Sequence, residues 1–288
     1  MNRQQILERE ERWARPAGIA ALAVAPLYIA SVAIDQSSSV PTAGIDTERY
    51  RAIDAQAGEL FASVLLRGIA FALMVVPLLY LFRAAQARSE RVSGPMVGFV
   101  FLGPLLFGIQ GIVAWIAQTA VASDFVAQAA AGGDLYTLLD DLSEDSVIFA
   151  VAANLLFPAI LGLLVAMVYV PLQAMRVGLL TRFFATFGMA LGVASLFIIP
   201  AISLLGLVLW VAWLGLLILN RTPKGRPPAW DAGEAIPWPR PGDEPATATA
   251  TGEGVVETDA TEVFGETEPR DNTARRERAK KRKRKRRR

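Results

Sequence analysis

Six long apolar stretches divide this chain, and no other feature limits its fold so tightly. They cover residues 17–34, 60–82, 96–122, 147–170, 183–199 and 201–219. A helix needs about 20 mainly apolar residues to cross the hydrocarbon of a bilayer. A chain in lipid must also satisfy its backbone hydrogen bonds internally, which selects helices for such stretches. Each stretch meets or nearly meets that length. The last two form one run without a charged residue. That run is too long for a single crossing, and Pro200 is its natural turn, so a helical hairpin is expected. The fold predicted is all-α: a polytopic transmembrane helix bundle of six spans over residues 17–219. Composition agrees, with 53% hydrophobic and only 19% charged residues and a mean hydropathy of +0.38.

Basic residues orient such a bundle, because connections rich in Lys and Arg stay cytoplasmic. Arg3, Arg9, Arg12 and Arg15 precede the first stretch; Arg83, Arg88 and Arg91 lie between the second and third; Arg176 and Arg182 lie between the fourth and fifth. The alternate connections are poor in basic residues, the first holding only Arg49 and Arg51. Both termini are therefore expected in the cytoplasm, with residues 1–16 as a cytoplasmic segment and the protein in the cell membrane. A competing reading of the first stretch is a cleaved signal peptide, since Ile29-Ala30-Ser31-Val32-Ala33 has the small residues of a cleavage site. The long leading segment with Glu8, Glu10 and Glu11, and Pro26 within the stretch, argue for a retained span.

The chain contains no cysteine and no histidine. That removes disulfides, thiol nucleophiles, thiolate or imidazole metal sites and imidazole acid–base chemistry. No phosphate-cradling glycine loop is visible, and no histidine is present to activate a serine. No enzymatic equipment, cofactor or metal is expected.

The two outer loops are acidic. The first carries Asp35, Asp46, Glu48, Asp54 and Glu59, and the second Asp124, Asp134, Asp140, Asp141, Glu144 and Asp145. They read either as a cation-attracting vestibule or lid, or as solvated loops, the commoner fate of acidic runs. Within the second, Leu135, Leu138, Leu139 and Leu142 recur at helical spacing, which predicts a short amphipathic helix on the outer surface or capping the bundle.

Arg67 is the one charged residue in the stretch 60–82. A charge there is costly and marks a functional site or a fixed structural partner. Asn154 lies at a similar depth in the fourth stretch, with Pro158 four residues on; Gln110 and Gln118 add polar groups to the third. The sharp expectation is an outward-facing polar pocket lined by Arg67, Gln110, Gln118 and Asn154, where the guanidinium holds an anionic or carbonyl-bearing ligand. The plainer expectation is that Arg67 snorkels to lipid phosphate, or pairs with Glu59, Asp54 or Asn154 to lock helices. The pairs Gly188/Gly192 and Gly94/Gly98 permit close helix packing. The first two hairpins share Pro-containing patterns around Pro26 and Pro104, and around Pro77 and Pro171, which allows a tandem repeat.

Beyond residue 219 the composition changes. Residues 220–245 are a Pro- and Trp-rich linker. In it Trp230 and Trp238 suggest docking to the membrane interface or to the cytoplasmic face of the bundle, incidental aromatics in a linker being the other reading. Residues 246–288 are acidic and then polybasic, the pattern of a disordered tail. Its closing cluster is Arg275, Arg276, Arg278, Lys280, Lys281, Arg282, Lys283, Arg284, Lys285, Arg286, Arg287 and Arg288. Anionic lipid headgroups are its nearest partner, RNA or ribosome competing through phosphate contacts.

A membrane arginine with a basic tail, here Arg67 and residues 275–288, resembles the membrane-protein insertases. Those carry a long charged cytoplasmic hairpin between their first two core helices, whereas the cytoplasmic connections here are short, so that family is not assigned. In composition the chain is similar to small multispan proteins of bacteria. The expected function is binding or transport of a small anionic or lipid-like ligand near Arg67. The alternative is a non-enzymatic membrane scaffold or assembly factor whose tail recruits an anionic cytoplasmic partner.

Overall fold

A computed structural model describes residues 2–38, 40, 46–129, 132, 134–197, 200–223 and 225–238. The basic cluster beginning at Arg275 lies outside the described residues. Among the described residues every regular element is helical. The principal helices are α1 (Arg3–Ser37), α2 (Asp46–Ala55), α3 (Ala57–Arg88), α4 (Val97–Ala129), α5 (Leu135–Asp145), α6 (Val147–Arg176), α7 (Arg182–Phe197), α8 (Pro200–Ile218) and the single turn α9 (Ala229–Ala232). A 3₁₀ turn, Gly94–Met96, leads into α4.

Every predicted span has a helix, but the helices differ in reach. α1, α3, α6 and the Gly94–Ala129 segment containing α4 are long and apolar enough to cross a membrane. At 1.5 Å per residue, the 35 residues of α1 extend about 52 Å, well beyond a hydrocarbon layer of ~30 Å. α7 and α8 are shorter apolar helices of 16 and 19 residues. α7 ends at Phe197 and α8 begins at Pro200, with the connection between them outside the described residues; the Trp210 indole of α8 donates to the Phe184 carbonyl of α7 at 2.9 Å, so the two pack as the expected hairpin. Large apolar side chains cover the outside of the bundle: Phe183 is 79% exposed, Phe157 69% and Ile202 68%. A water-facing surface would not sustain that much apolar area, whereas lipid would.

The core lies around the second half of α3. Phe71, Met74, Leu78, Leu81, Phe82 and Ala85 are buried at helical spacing. They meet Leu163, Met167 and Val170 of α6, Leu207, Val211 and Leu214 of α8, and Ala17, Ala21 and Val24 of α1. The rings of Phe71 and Phe107 lie edge to face at 4.7 Å, tying α3 to α4. Small residues set the helix crossings. A Cβ on Gly108 would stand 2.9 Å from the Gly68 carbonyl oxygen, and Gly103 abuts the backbone of Gly162. These crossings, α3 on α4 and α4 on α6, use glycines outside the two pairs expected from spacing. Of those pairs, Gly188 packs against Trp210 of α8 and Gly192 against Met167 of α6, within the bundle. Gly98 has no heavy atom within 4 Å of a Cβ position.

The connections from α1 to α3 and from α4 to α6 contain helices too. α5 forms where the leucine spacing placed it. Leu139 is buried with Val121 and Phe125 of α4, while Leu135, Leu138 and Leu142 pack around them, so this helix caps the bundle. Asp134 caps its N-terminus, accepting hydrogen bonds from the Tyr136 amide (3.1 Å) and the Thr137 hydroxyl (2.8 Å). The Thr137 hydroxyl, and then the backbone amides, hold the Asp134 carboxyl below its ordinary pKa of 3.8. α2, in the connection between α1 and α3, was not foreseen. The resulting order is long–short–long in α1–α2–α3 and again in α4–α5–α6.

At the opposite end the segment after α8 folds back onto the helix ends. Trp230 is 2% exposed, stacks on Tyr80 at 5.8 Å and donates from Nε1 to the Leu179 carbonyl at 2.9 Å. Trp238 donates to the Leu180 carbonyl at 2.8 Å, and the Ile236 amide to the Val177 carbonyl at 3.1 Å. Gly178, at φ +82°, makes room for this strap, since a Cβ there would strike the Ile236 carbonyl. Of the two readings of the tryptophans, docking to the bundle is the one realised.

Candidate functional site

Two polar stripes face each other in the half of the bundle that carries α2 and α5. On α1, Tyr28, Ser31 and Asp35 follow at spacings of three and four; on α3, Ser63 and Arg67 do the same. Such spacings place side chains on one helix face. Asp35 is available because α1 does not stop at residue 34. Its last turn is closed by the Ser37 hydroxyl on the Ile34 carbonyl (2.8 Å) and the Ser38 hydroxyl on the Asp35 carbonyl (2.6 Å).

The stripes are joined by polar contacts. Arg67 Nη2 pairs with Asp35 Oδ2. The Ser63 hydroxyl is shared between the other carboxylate oxygen and the Ser31 carbonyl (3.0 Å), while the Ser31 hydroxyl bonds back to the Tyr28 carbonyl at 2.7 Å. The guanidinium carbon lies 5.9 Å from the centre of the Tyr28 ring, within cation–π range. Arg67 Nε is buried and has no hydrogen-bond partner among the described residues.

Asp35 and Arg67 retain 37% and 34% of their side-chain exposure. Both line a cavity of about 440 Å³ between α1, α2, α3 and α4, within the usual size range of small-molecule sites. Gln118, Arg49 and Trp115 bring polar and aromatic groups to its wall; Val40, Ile53, Leu60 and Val64 bring apolar ones. α2 supplies Arg49 and Ile53 while being held to α4 by the Tyr50–Phe125 ring contact, 6.3 Å between centres.

Of the four predicted pocket residues the structure brings two together. Arg67 and Gln118 line the same cavity. Gln110 is half-buried and is not among its lining residues. Asn154 is exposed, and its amide donates to the Ala150 carbonyl at 2.7 Å on its own helix, so it neither joins the cavity nor meets Arg67. Equal depth in two helices did not imply one shared face. The partner of Arg67 is Asp35 rather than Glu59, Asp54 or Asn154. Asp35 was assigned to the loop because the apolar stretch ends one residue before it, although the i, i+3, i+7 pattern of Tyr28, Ser31 and Asp35 was open to inspection.

A second polar cluster went unrecognised. Arg88, with a fully buried side chain, pairs with Glu10 of α1. It also donates to the Ala229 carbonyl (3.0 Å) and the Ala84 carbonyl (3.0 Å), and lies 5.9 Å from the Trp230 ring centre. In the sequence Arg88 served only as a topological marker. Among the described residues no group of Asp and Glu could hold a metal ion. Comparison of the chain with family models, with curated proteins and with solved structures finds no match.

Proposed function

We propose that this protein is a six-span membrane protein with both termini cytoplasmic, and that it binds a small anionic, amphiphilic ligand in the cavity beside Arg67. The observation that carries the reading is the Arg67 guanidinium in the cavity wall, where the side chain keeps 34% of its exposure. A guanidinium presents a planar fork of N–H donors, and an incoming carboxylate or phosphate oxygen would meet those that face the cavity. Arg67 and Arg49 against Asp35 leave the wall with one net positive charge, while Val64, Leu60 and Trp115 suit an apolar body. The reading assigns binding rather than catalysis.

The test is the thermal stability of purified protein, wild type and Arg67→Gln, against small anions and short-chain anionic amphiphiles. A ligand-dependent rise in Tm in the wild type that is absent from the still-folded variant, each read from its own unliganded Tm, supports the pocket. No response in the wild type, with a variant that is simply less stable, removes it.

The Asp35 pair favours a second reading, in which Arg67 locks α1 to α3 and the protein is a scaffold whose basic tail recruits an anionic cytoplasmic partner. Deleting residues 272–288 would then abolish function, while a neutralised Asp35/Arg67 pair that still folds would not.

A further inference from the structure

A second cavity, of about 560 Å³, lies at the other end of the bundle, between α1, α3 and α4. Its walls are mainly apolar, with Ala17, Val76, Leu79 and Val97 in its lining. Trp13 and Phe101 flank it and are 56% and 46% exposed. Gly98, one turn before Phe101 on α4, contributes no side chain, and a Cβ there would meet no heavy atom within 4 Å. The groove is thus lined by aromatic and aliphatic groups beside a helix position that carries nothing.

Charge is confined to three lining residues, Arg9, Glu10 and Arg83. Glu10 is engaged by both terminal nitrogens of the buried Arg88 and is neutralised within the protein. Arg9 on α1 and Arg83 on α3 are the exposed basic residues of its lining. Arg83 also donates to Gln86 at 3.0 Å, which leaves its other guanidinium nitrogens to face a headgroup. Two cations, an exposed indole and an apolar trough are what a phosphate-headed, acyl-chained molecule at a membrane interface requires.

We propose that this groove is a binding site for an anionic glycerophospholipid of the cytoplasmic leaflet, its acyl chain along Leu79 and Phe101 and its phosphate between Arg9 and Arg83. The proposal rests on the membrane orientation given above, but uses none of the residues of the Arg67 cavity.

The experiment uses the full chain, delipidated in detergent, and follows its Tm on adding phosphatidylglycerol, phosphatidylcholine or inorganic phosphate. Phosphatidylglycerol should raise Tm by roughly 5 °C near saturation, with phosphatidylcholine and phosphate well behind. Two variants locate the effect. Arg9→Gln/Arg83→Gln should erase the preference for phosphatidylglycerol. Gly98→Leu should fill the trough and abolish the shift while leaving lipid-free Tm unchanged or higher, since leucine suits a helix better than glycine and meets no neighbour there. Equal shifts with both lipids, an equal shift with phosphate, or a shift that survives both variants would overturn the site. If Arg67→Gln removes the shift and the groove variants do not, the lipid belongs to the outer cavity. A chain that fails to enter membrane fractions would overturn the membrane reading itself, a separate result.

Discussion

Arg67 and Asp35 are each affordable in the bundle only because the other is present. A guanidinium left unpaired among apolar helices is more costly than a neutral residue in its place. Arg67→Gln leaves a carboxylate that keeps only its Ser63 contact, and Asp35→Asn leaves the cation. Each single change should therefore lower Tm by more than the double change, with a coupling of about 0.5–3 kcal/mol in a double-mutant cycle. Additive losses would show that the pair contributes nothing. Arg88 presents the same logic under deeper burial, with 0% side-chain exposure against 11% for Glu10. Arg88→Met should cost ~3–5 kcal/mol because it strands Glu10, while Arg88→Met with Glu10→Met should recover much of that loss. Denaturation of the three variants in one detergent reads both effects. The sequence could expose the cost of Arg67, since an isolated charge in an apolar run is visible by itself. It could not expose the payment made by Asp35, because that depends on how far past Ile34 the helix continues.

At the scale of elements, periodic leucines located α5 and the break at Pro200 separated α7 from α8, whereas α2 was missed. Its segment, Asp46–Ala55, is polar and carries no apolar stripe of the kind that marked α5, so its helical state reflects packing of Ile53 and Tyr50 against neighbours. The cap at α5 is testable by pH. Because the folded Asp134 carboxyl titrates below its ordinary value of 3.8, its contribution is fully present above that value and is lost as pH falls through the lowered folded pKa. Amide protection in α5, taken relative to the intrinsic exchange rate at each pH, should fall in the wild type as pH drops through the lowered pKa of Asp134. Asp134→Ala should show the lower protection already at neutral pH, with little further loss on acidification. The strap after α8 is a second element held by identifiable groups. Trp230→Ala removes a ring that packs on Tyr80 and an indole bond to Leu179, and should cost about 3–5 kcal/mol. Proteolysis between residues 221 and 238 should then proceed without global unfolding; cleavage as slow as in the wild type would mean that Trp238 and Ile236 hold the strap alone.

For the whole molecule, hydropathy marked where helices run, and basic residues suggested which ends share a side. What hydropathy cannot carry is which faces meet. The α4–α6 and α3–α4 crossings depend on Gly103, Gly162, Gly68 and Gly108, each unremarkable among the 23 glycines of the chain. The same lack of rotational information put Asn154 and Gln110 into a pocket that they do not line. Topology is the matter that length alone leaves open at the C-terminal hairpin. α7 and α8 measure about 24 and 28 Å at 1.5 Å per residue, close to the ~30 Å of hydrocarbon, so they suffice either to cross or to dip in and return. The absence of cysteine makes the question directly accessible. Single cysteines at Ser38, Ser89, Ile199 and Asn220 can be probed in intact cells with a membrane-impermeant maleimide. Six spans with cytoplasmic termini require Ser38→Cys and Ile199→Cys to label from outside, and Ser89→Cys and Asn220→Cys to label only after permeabilisation. A re-entrant hairpin keeps the Ser38, Ser89 and Asn220 pattern but shields Ile199→Cys from the outside reagent. An inverted bundle exchanges the two sets, and would place the Arg9/Arg83 groove in the outer leaflet and the Arg67 cavity on the cytoplasmic side.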